Sequence, residues 1–260
     1  MDIAAGSPSL PPPSRTGDVS GRHIDWTPRD VAIGILLLVG VLVVLPIPVV
    51  VIALLFTGQH SLAFLTIEAL VGAPLYLLIA AIAASRTFGK YGGGWARLGV
   101  RMPNGGTLAW AGAAFAGALA VSIAYGVIID AFGLNFLKQG CADQVPTEIR
   151  SQPYILAITA FLAVVFAPMA EEFFFRGFVF PGIARSWGVP AGIVVSGLLF
   201  GSAHLLGNPY LYKSLIQFAA IGMIFAFTYW RSGNIFSSML AHFTFNLLGV
   251  ITLAATTCHA

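Results

Sequence analysis

Charge is scarce in this sequence. Asp, Glu, Lys and Arg together make up 9% of its 260 residues, against roughly 25% in an ordinary soluble domain. A soluble fold of this size needs a charged surface, so a free-standing cytosolic protein is excluded. Cysteine is scarce as well. Cys141 and Cys258 are the only two, their spacing matches no metal-ligand pattern, and sequence alone does not decide whether they pair. The basic excess is small: 13 Lys plus Arg against 10 Asp plus Glu, a net charge of +3. Most of the basic residues stand between apolar stretches. That suits positive loops beside a membrane and argues for no nucleic-acid partner. No internal repeat is visible, which weighs against many transporter folds.

Apolar surface, by contrast, is abundant. Hydrophobic residues make up 58% of the chain, with 20 Phe, and the mean hydropathy is +0.88. Such a composition needs lipid as its main solvent. The expected fold class is all-α: a polytopic membrane helix bundle with seven to eight transmembrane helices and a polar intramembrane cavity.

Three regions follow along the chain. Residues 1–26 are polar and contain Pro11-Pro12-Pro13, which reads as a flexible cytoplasmic tail and not a cleavable signal. Residues 27–150 would hold the N-terminal transmembrane helices, and 151–260 a core that carries the chemistry. Apolar runs predict spans over Val31–Phe56, Leu62–Ala84, Leu108–Phe132, Tyr154–Phe180, Val189–Leu206, Leu215–Trp230 and Ile235–Ala254. Pro46 and Pro48 should kink the first. The last could break into two, hence seven or eight. Loop 86–101, with Gly92-Gly93-Gly94 as a hinge, carries Arg86, Lys90, Arg97 and Arg101 and no acid. Arg185 and Arg231 lie on the same side by alternation. The positive-inside rule then puts the N-terminus and these loops in the cytoplasm. In a bacterium this would be the inner membrane.

Ionisable groups inside a bilayer cost roughly 2.5–3.5 kcal/mol each on insertion scales, so those present are informative. Asp130 lies at a span end and reads as interfacial. Glu68 reads as a carboxyl bonded to a neighbouring helix. The others cluster in the last 90 or so residues: Glu171, Glu172, Arg176, His204 and His242, with Asn246 as a neutral companion. Adjacent glutamates point about 100° apart on a helix, so Glu171 and Glu172 should do different work. Glu172 and Arg176 are four apart and can pair along one face. That leaves Glu171 as a candidate general base. Gly197 and Gly201 let another helix approach near His204. His242 and Asn246 share a face. A carboxylate, two imidazoles and a carboxamide can supply a base, metal ligands or orienting groups, and an oxyanion donor. That equipment serves water attack on an amide carbonyl. The His-Glu-x-x-His, Gly-x-Gly-Asp and Gly-x-Ser-x-Gly patterns of other hydrolases are absent. The rival from another class is a transporter or an inactive scaffold using the same groups as an ion or proton path.

Glu171-Glu172-x-x-x-Arg176, then Phe200-x-x-x-His204, then His242-x-x-x-Asn246 resemble the three motifs of the CPBP family. These are the CAAX-protease and bacteriocin-processing (Abi) membrane proteases, which include type II CAAX prenyl endopeptidases. The stretch Tyr229 to Asn234 resembles the family's lead-in to the third motif, and the likeness covers about residues 154–250. It implies an all-helical membrane fold with a conical cavity open toward the cytoplasm. It also implies a peptide or a prenylated protein C-terminus as substrate. By this resemblance Glu171 would activate water with help from His204, His242 and Asn246 would form the oxyanion site, and Glu172 and Arg176 would support them. Zn2+ held by Glu171, His204 and His242 is one implied mechanism, and a metal-free glutamate mechanism is the other. One tension remains. His204 falls about 16 residues, roughly 24 Å, from the start of its span. Glu171 matches that depth only if the fourth helix runs past its apparent end, or the fifth is tilted or broken.

Overall fold

A computed structural model describes residues 18–19, 21–57, 61–140, 145 and 147–255. Cys141, Cys258 and the first part of the tail lie outside them. Seven helices among these residues are long and apolar enough to cross a membrane: α1 (Pro28–Thr57), α2 (Leu62–Tyr91), α3 (Gly105–Ala131), α4 (Pro153–Trp187), α5 (Val189–Leu206), α6 (Tyr210–Ser232) and α7 (Ile235–Ala255). The fold is an all-α polytopic bundle. The last helix is unbroken, so the count is seven.

α1 opens on a capping box. The Thr27 amide donates to Asp30 Oδ2 at 3.1 Å, and Pro28 sits in the first turn, where its missing N–H costs nothing. The expected kink comes one turn before the prolines. Residues Gly40–Val44 widen into a π-helical turn, closed by Leu45 N–H on the Gly40 carbonyl at 2.9 Å. Pro46 and Pro48 cannot donate, so the chain adjusts upstream of them.

α4 widens twice, at Leu162–Phe166 and Glu172–Val179. A π turn leaves backbone groups out of the regular ladder, and each must find another partner. Side chains from elsewhere donate to three carbonyls of these turns, of which the Phe175 carbonyl also accepts the Phe180 N–H within the helix. Asn246 Nδ2 donates to the Ala163 carbonyl at 2.7 Å. In the π register that carbonyl would take the N–H of residue 168, which is a proline and has none. Ser196 Oγ donates to the Phe175 carbonyl at 3.1 Å, and Trp26 Nε1 to the Phe178 carbonyl at 2.8 Å.

The Trp26 bond corrects the flexible-tail reading at its end, residues 21–26; residues 1–17 and 20 lie outside the described residues. Asp18–Val19 (β1) and Arg22–His23 (β2) form a two-residue antiparallel ladder. Beyond it, Ile24 and Trp26 are fully buried in the main core with Phe174, Phe178 and Tyr229. The acceptor for Trp26 lies 152 residues away on α4, so nothing local marks the segment as ordered.

α5 and α6 pack backbone to backbone. A Cβ on Gly197 would stand 2.8 Å from the Ala219 carbonyl and the Met223 amide, and one on Gly201 2.9 Å from the Ala219 amide. Gly222 answers from α6, where a Cβ would meet Gly197 Cα at 3.0 Å. This is the close approach expected on the Gly197–Gly201 face.

Candidate active site

The two glutamates have separated, as their spacing on the helix requires. Glu172 is fully buried, and its Oε1 lies 3.1 Å from Arg176 Nη1. Arg176 also donates through Nη2 to the Gly222 carbonyl at 3.2 Å. Its guanidinium is boxed by aromatic faces, with Phe200 at 4.3 Å and Phe225 at 5.3 Å from the ring centres. Aromatic faces attract a desolvated cation, and Gly222 has no side chain to block the approach. The wide turn of α4 and the close α5–α6 contact together make room for Arg176.

His242, on α7, stands between the glutamates. Its Nδ1 lies 3.0 Å from Glu172 Oε1, and its Nε2 3.9 Å from Glu171 Oε2. Arg176 supplies the counter-charge for the Glu172 carboxylate. A carboxylate only accepts, so Nδ1 of His242 is the donor. In neutral His242 the proton is then on Nδ1, and Nε2 turns its lone pair toward Glu171. The separation at Nε2 is too long for a direct hydrogen bond and suits a small bridging molecule. The Glu171 side chain is 17% exposed, and its Oε2 has no hydrogen-bond partner among the described residues.

Glu171 and His204 line one cavity of about 610 Å³. His204 donates from Nδ1 to the Phe200 carbonyl at 2.8 Å, which leaves Nε2 as an acceptor. Its ring is stacked on Phe218, 4.7 Å between centres, and edge-on to Phe200 at 4.8 Å. The depth tension resolves in the fourth helix, which runs on to Trp187. About 16 residues then separate Glu171 from the α4–α5 turn, and about as many separate His204 from it. The two side chains line the same cavity from the two arms of that hairpin, and α5 needs no break.

Asn246 is placed differently from its expected role. One of its N–H groups is committed to the Ala163 carbonyl, so a single N–H remains for any oxyanion. The sequence reading also missed Tyr76, which lines the same cavity from α2. A mid-span hydroxyl is a readable signal, and counting only ionisable groups and carboxamides passes over it. Glu68 lines the cavity too. α1 and α2 thus wall the site although they carry none of the motifs.

Glu171, His204 and His242 are the right chemistry for Zn2+. Among the described residues, however, no three His, Cys, Asp or Glu side chains gather into a group that could hold a metal ion. Each histidine commits only Nδ1, which leaves Nε2 able to ligate, and Glu171 and His242 approach each other, but the three side chains do not converge. The set does not fit as arranged, and no step below runs through a metal.

Residues 153–248 match the family model of type II CAAX prenyl endopeptidase Rce1-like proteins. The matched segment begins with α4 and holds all three motifs. No curated protein and no solved structure matches the chain.

Proposed function

We propose that this integral, multi-pass membrane protein, whose residues 153–248 match the Rce1-like type II CAAX prenyl endopeptidase model, is an endopeptidase that hydrolyses its substrate with water activated by Glu171. The observation that carries the reading is the Glu171 carboxylate oxygen. It is buried, has no hydrogen-bond partner among the described residues, belongs to a side chain that lines a cavity, and lies 3.9 Å from Nε2 of His242. A buried acceptor with no partner calls for an explanation, and a reacting water supplies one.

In this reading Glu171 takes a proton from the water as oxygen attacks the amide carbon. The carbonyl oxygen becomes an oxyanion, the remaining Asn246 N–H can donate to it, and His242 can donate too once Glu171 has passed that proton to its Nε2. His242 can carry that charge because Glu172 lies on its Nδ1 side, with Arg176 behind. The tetrahedral intermediate collapses, the C–N bond breaks, and the leaving amine takes the proton that Glu171 removed from the water. Glu172 and Arg176 are positioning residues, acting through His242.

The test compares peptide termini in membranes of cells that make the wild-type chain with those that make Glu171→Gln. New termini present only with the wild type support the reading and identify the substrate. Identical termini, with both proteins folded and equally abundant, would instead favour a polar ion path.

A further inference from the structure

The proposed reaction is short of a donor on the carbonyl side. An oxyanion is held best by donors already aimed at it before the charge develops. Asn246 keeps one N–H for that task, because the Ala163 carbonyl holds the other at 2.7 Å. His242 can donate there only after Glu171 has passed a proton to its Nε2.

Tyr76 stands where a further donor is needed. It belongs to α2, whose approach to α4 is set by a glycine. A Cβ on Gly72 would lie 2.8 Å from Leu162 Cδ1, so the two helices come close where α4 begins its first widened turn. Tyr76 is four residues further along α2 and shares the face of Gly72. α2 and α4 are two spans apart and cross the membrane in the same direction. Tyr76 is therefore about 6 Å beyond Gly72, toward the part of α4 that carries Glu171. Its side chain packs against the core that includes Ala170 and Phe175, and it lines the cavity together with Ala163 and Glu171. The Glu171 carboxylate acts on it electrostatically. The candidate base and the residue that anchors Asn246 thus share one wall with this hydroxyl.

The hydroxyl has no structural employment. Among the described residues none shares a hydrogen bond with it, although a tyrosine O–H away from water ordinarily finds a partner. Its neighbours on the wall are Val71, Leu75 and Ile79, where a phenylalanine would serve packing equally well. The other hydroxyl on the wall, Thr159, precedes Glu171 by twelve residues, roughly 18 Å of helix. An ordinary phenol keeps its proton at neutral pH, so Tyr76 donates where Glu171 accepts.

We propose that Tyr76 is a further catalytic residue, whose O–H donates to the carbonyl oxygen of the scissile bond as negative charge collects there, beside the free N–H of Asn246. No proton leaves Tyr76. Its hydrogen bond tightens as the oxyanion forms and relaxes when the carbonyl is restored. The assignment rests on the endopeptidase reading, and it gives the N-terminal helices, outside the family match over residues 153–248, a direct part in the chemistry.

Tyr76→Phe in the full chain tests this, because it removes one oxygen and keeps the ring. The probe is a synthetic peptide spanning the cleavage point found by comparing termini. In nanodiscs its single-turnover cleavage should slow by about 10²–10³, the usual effect of losing one oxyanion donor. The half-saturating peptide concentration should stay within about twofold, since the bond forms only in the transition state, and the unfolding midpoint should not move. Tyr76→p-aminophenylalanine returns a donor of the same shape and should recover about tenfold or more of the lost rate. Three results would overturn the assignment: a wild-type rate in Tyr76→Phe, a loss confined to half-saturation, or a slow Tyr76→Phe that the amine does not rescue. Failure of the endopeptidase reading looks different. Identical termini in wild-type and Glu171→Gln membranes would remove that reading and this assignment together, whereas a fast Tyr76→Phe beside an inactive Glu171→Gln removes the assignment alone.

Discussion

Removing one member of the Glu172–Arg176 pair should harm the protein more than removing both. Each side chain is fully buried, and the two lie 3.1 Å apart. Glu172→Gln leaves the Arg176 guanidinium charged with no countercharge at that distance, and Arg176→Met does the same to the carboxylate. Breaking one side of a buried pair costs about 3–5 kcal/mol. The double variant buries no net charge there, methionine can lie against Phe200 and Phe225, and the new amide oxygen can still accept from His242 Nδ1. It should therefore unfold within about 2 kcal/mol of the wild type, because replacing a whole buried pair is often close to neutral. The interaction energy from the cycle should exceed about 3 kcal/mol. Chemical unfolding in mixed micelles, followed by tryptophan fluorescence, measures it. Activity should part from stability. The double variant keeps the fold but loses the carboxylate that lets His242 carry charge, so cleavage should stay slower by about 10² or more. Additive single effects would refute the buried-pair argument, and a double variant with wild-type turnover would refute the positioning role.

Two further changes probe the scaffold. Gly197→Ala puts a methyl 2.8 Å from the Ala219 carbonyl, so α5 and α6 must separate. A loss of about 1–3 kcal/mol in the same unfolding assay is expected, with slower cleavage as Phe218 draws away from His204. Trp26→Phe leaves the buried Phe178 carbonyl without its donor, which should cost about 1–3 kcal/mol. An unchanged midpoint would mean that the 18–26 segment does not brace α4.

The spans were legible because lipid imposes a simple rule on the sequence, and long uncharged runs follow it. Glu171, Glu172, Arg176, His204 and His242 stood out for the same reason, since each violates that rule. The i,i+4 logic gave the Glu172–Arg176 pair correctly. It gave only half of His242, whose shared face with Asn246 is visible in the sequence while its bond to Glu172 on another helix is not. The two widened turns of α4 have no mark in Leu162–Phe166 or Glu172–Val179, because a π turn is held by contacts from elsewhere. Asn246 and Trp26 each bond a carbonyl in one of those turns. That is why the burial of Trp26 was missed.

The account stands or falls on Glu171. The direct measurement is the single-turnover cleavage rate of purified full-length protein in lipid nanodiscs, wild type against Glu171→Gln, on the substrate found by comparing termini. The account predicts a rate lower by about 10²–10⁴ or more with an unfolding midpoint close to the wild type's, since Glu171 Oε2 bonds no other described residue. Equal rates from the two proteins would contradict it.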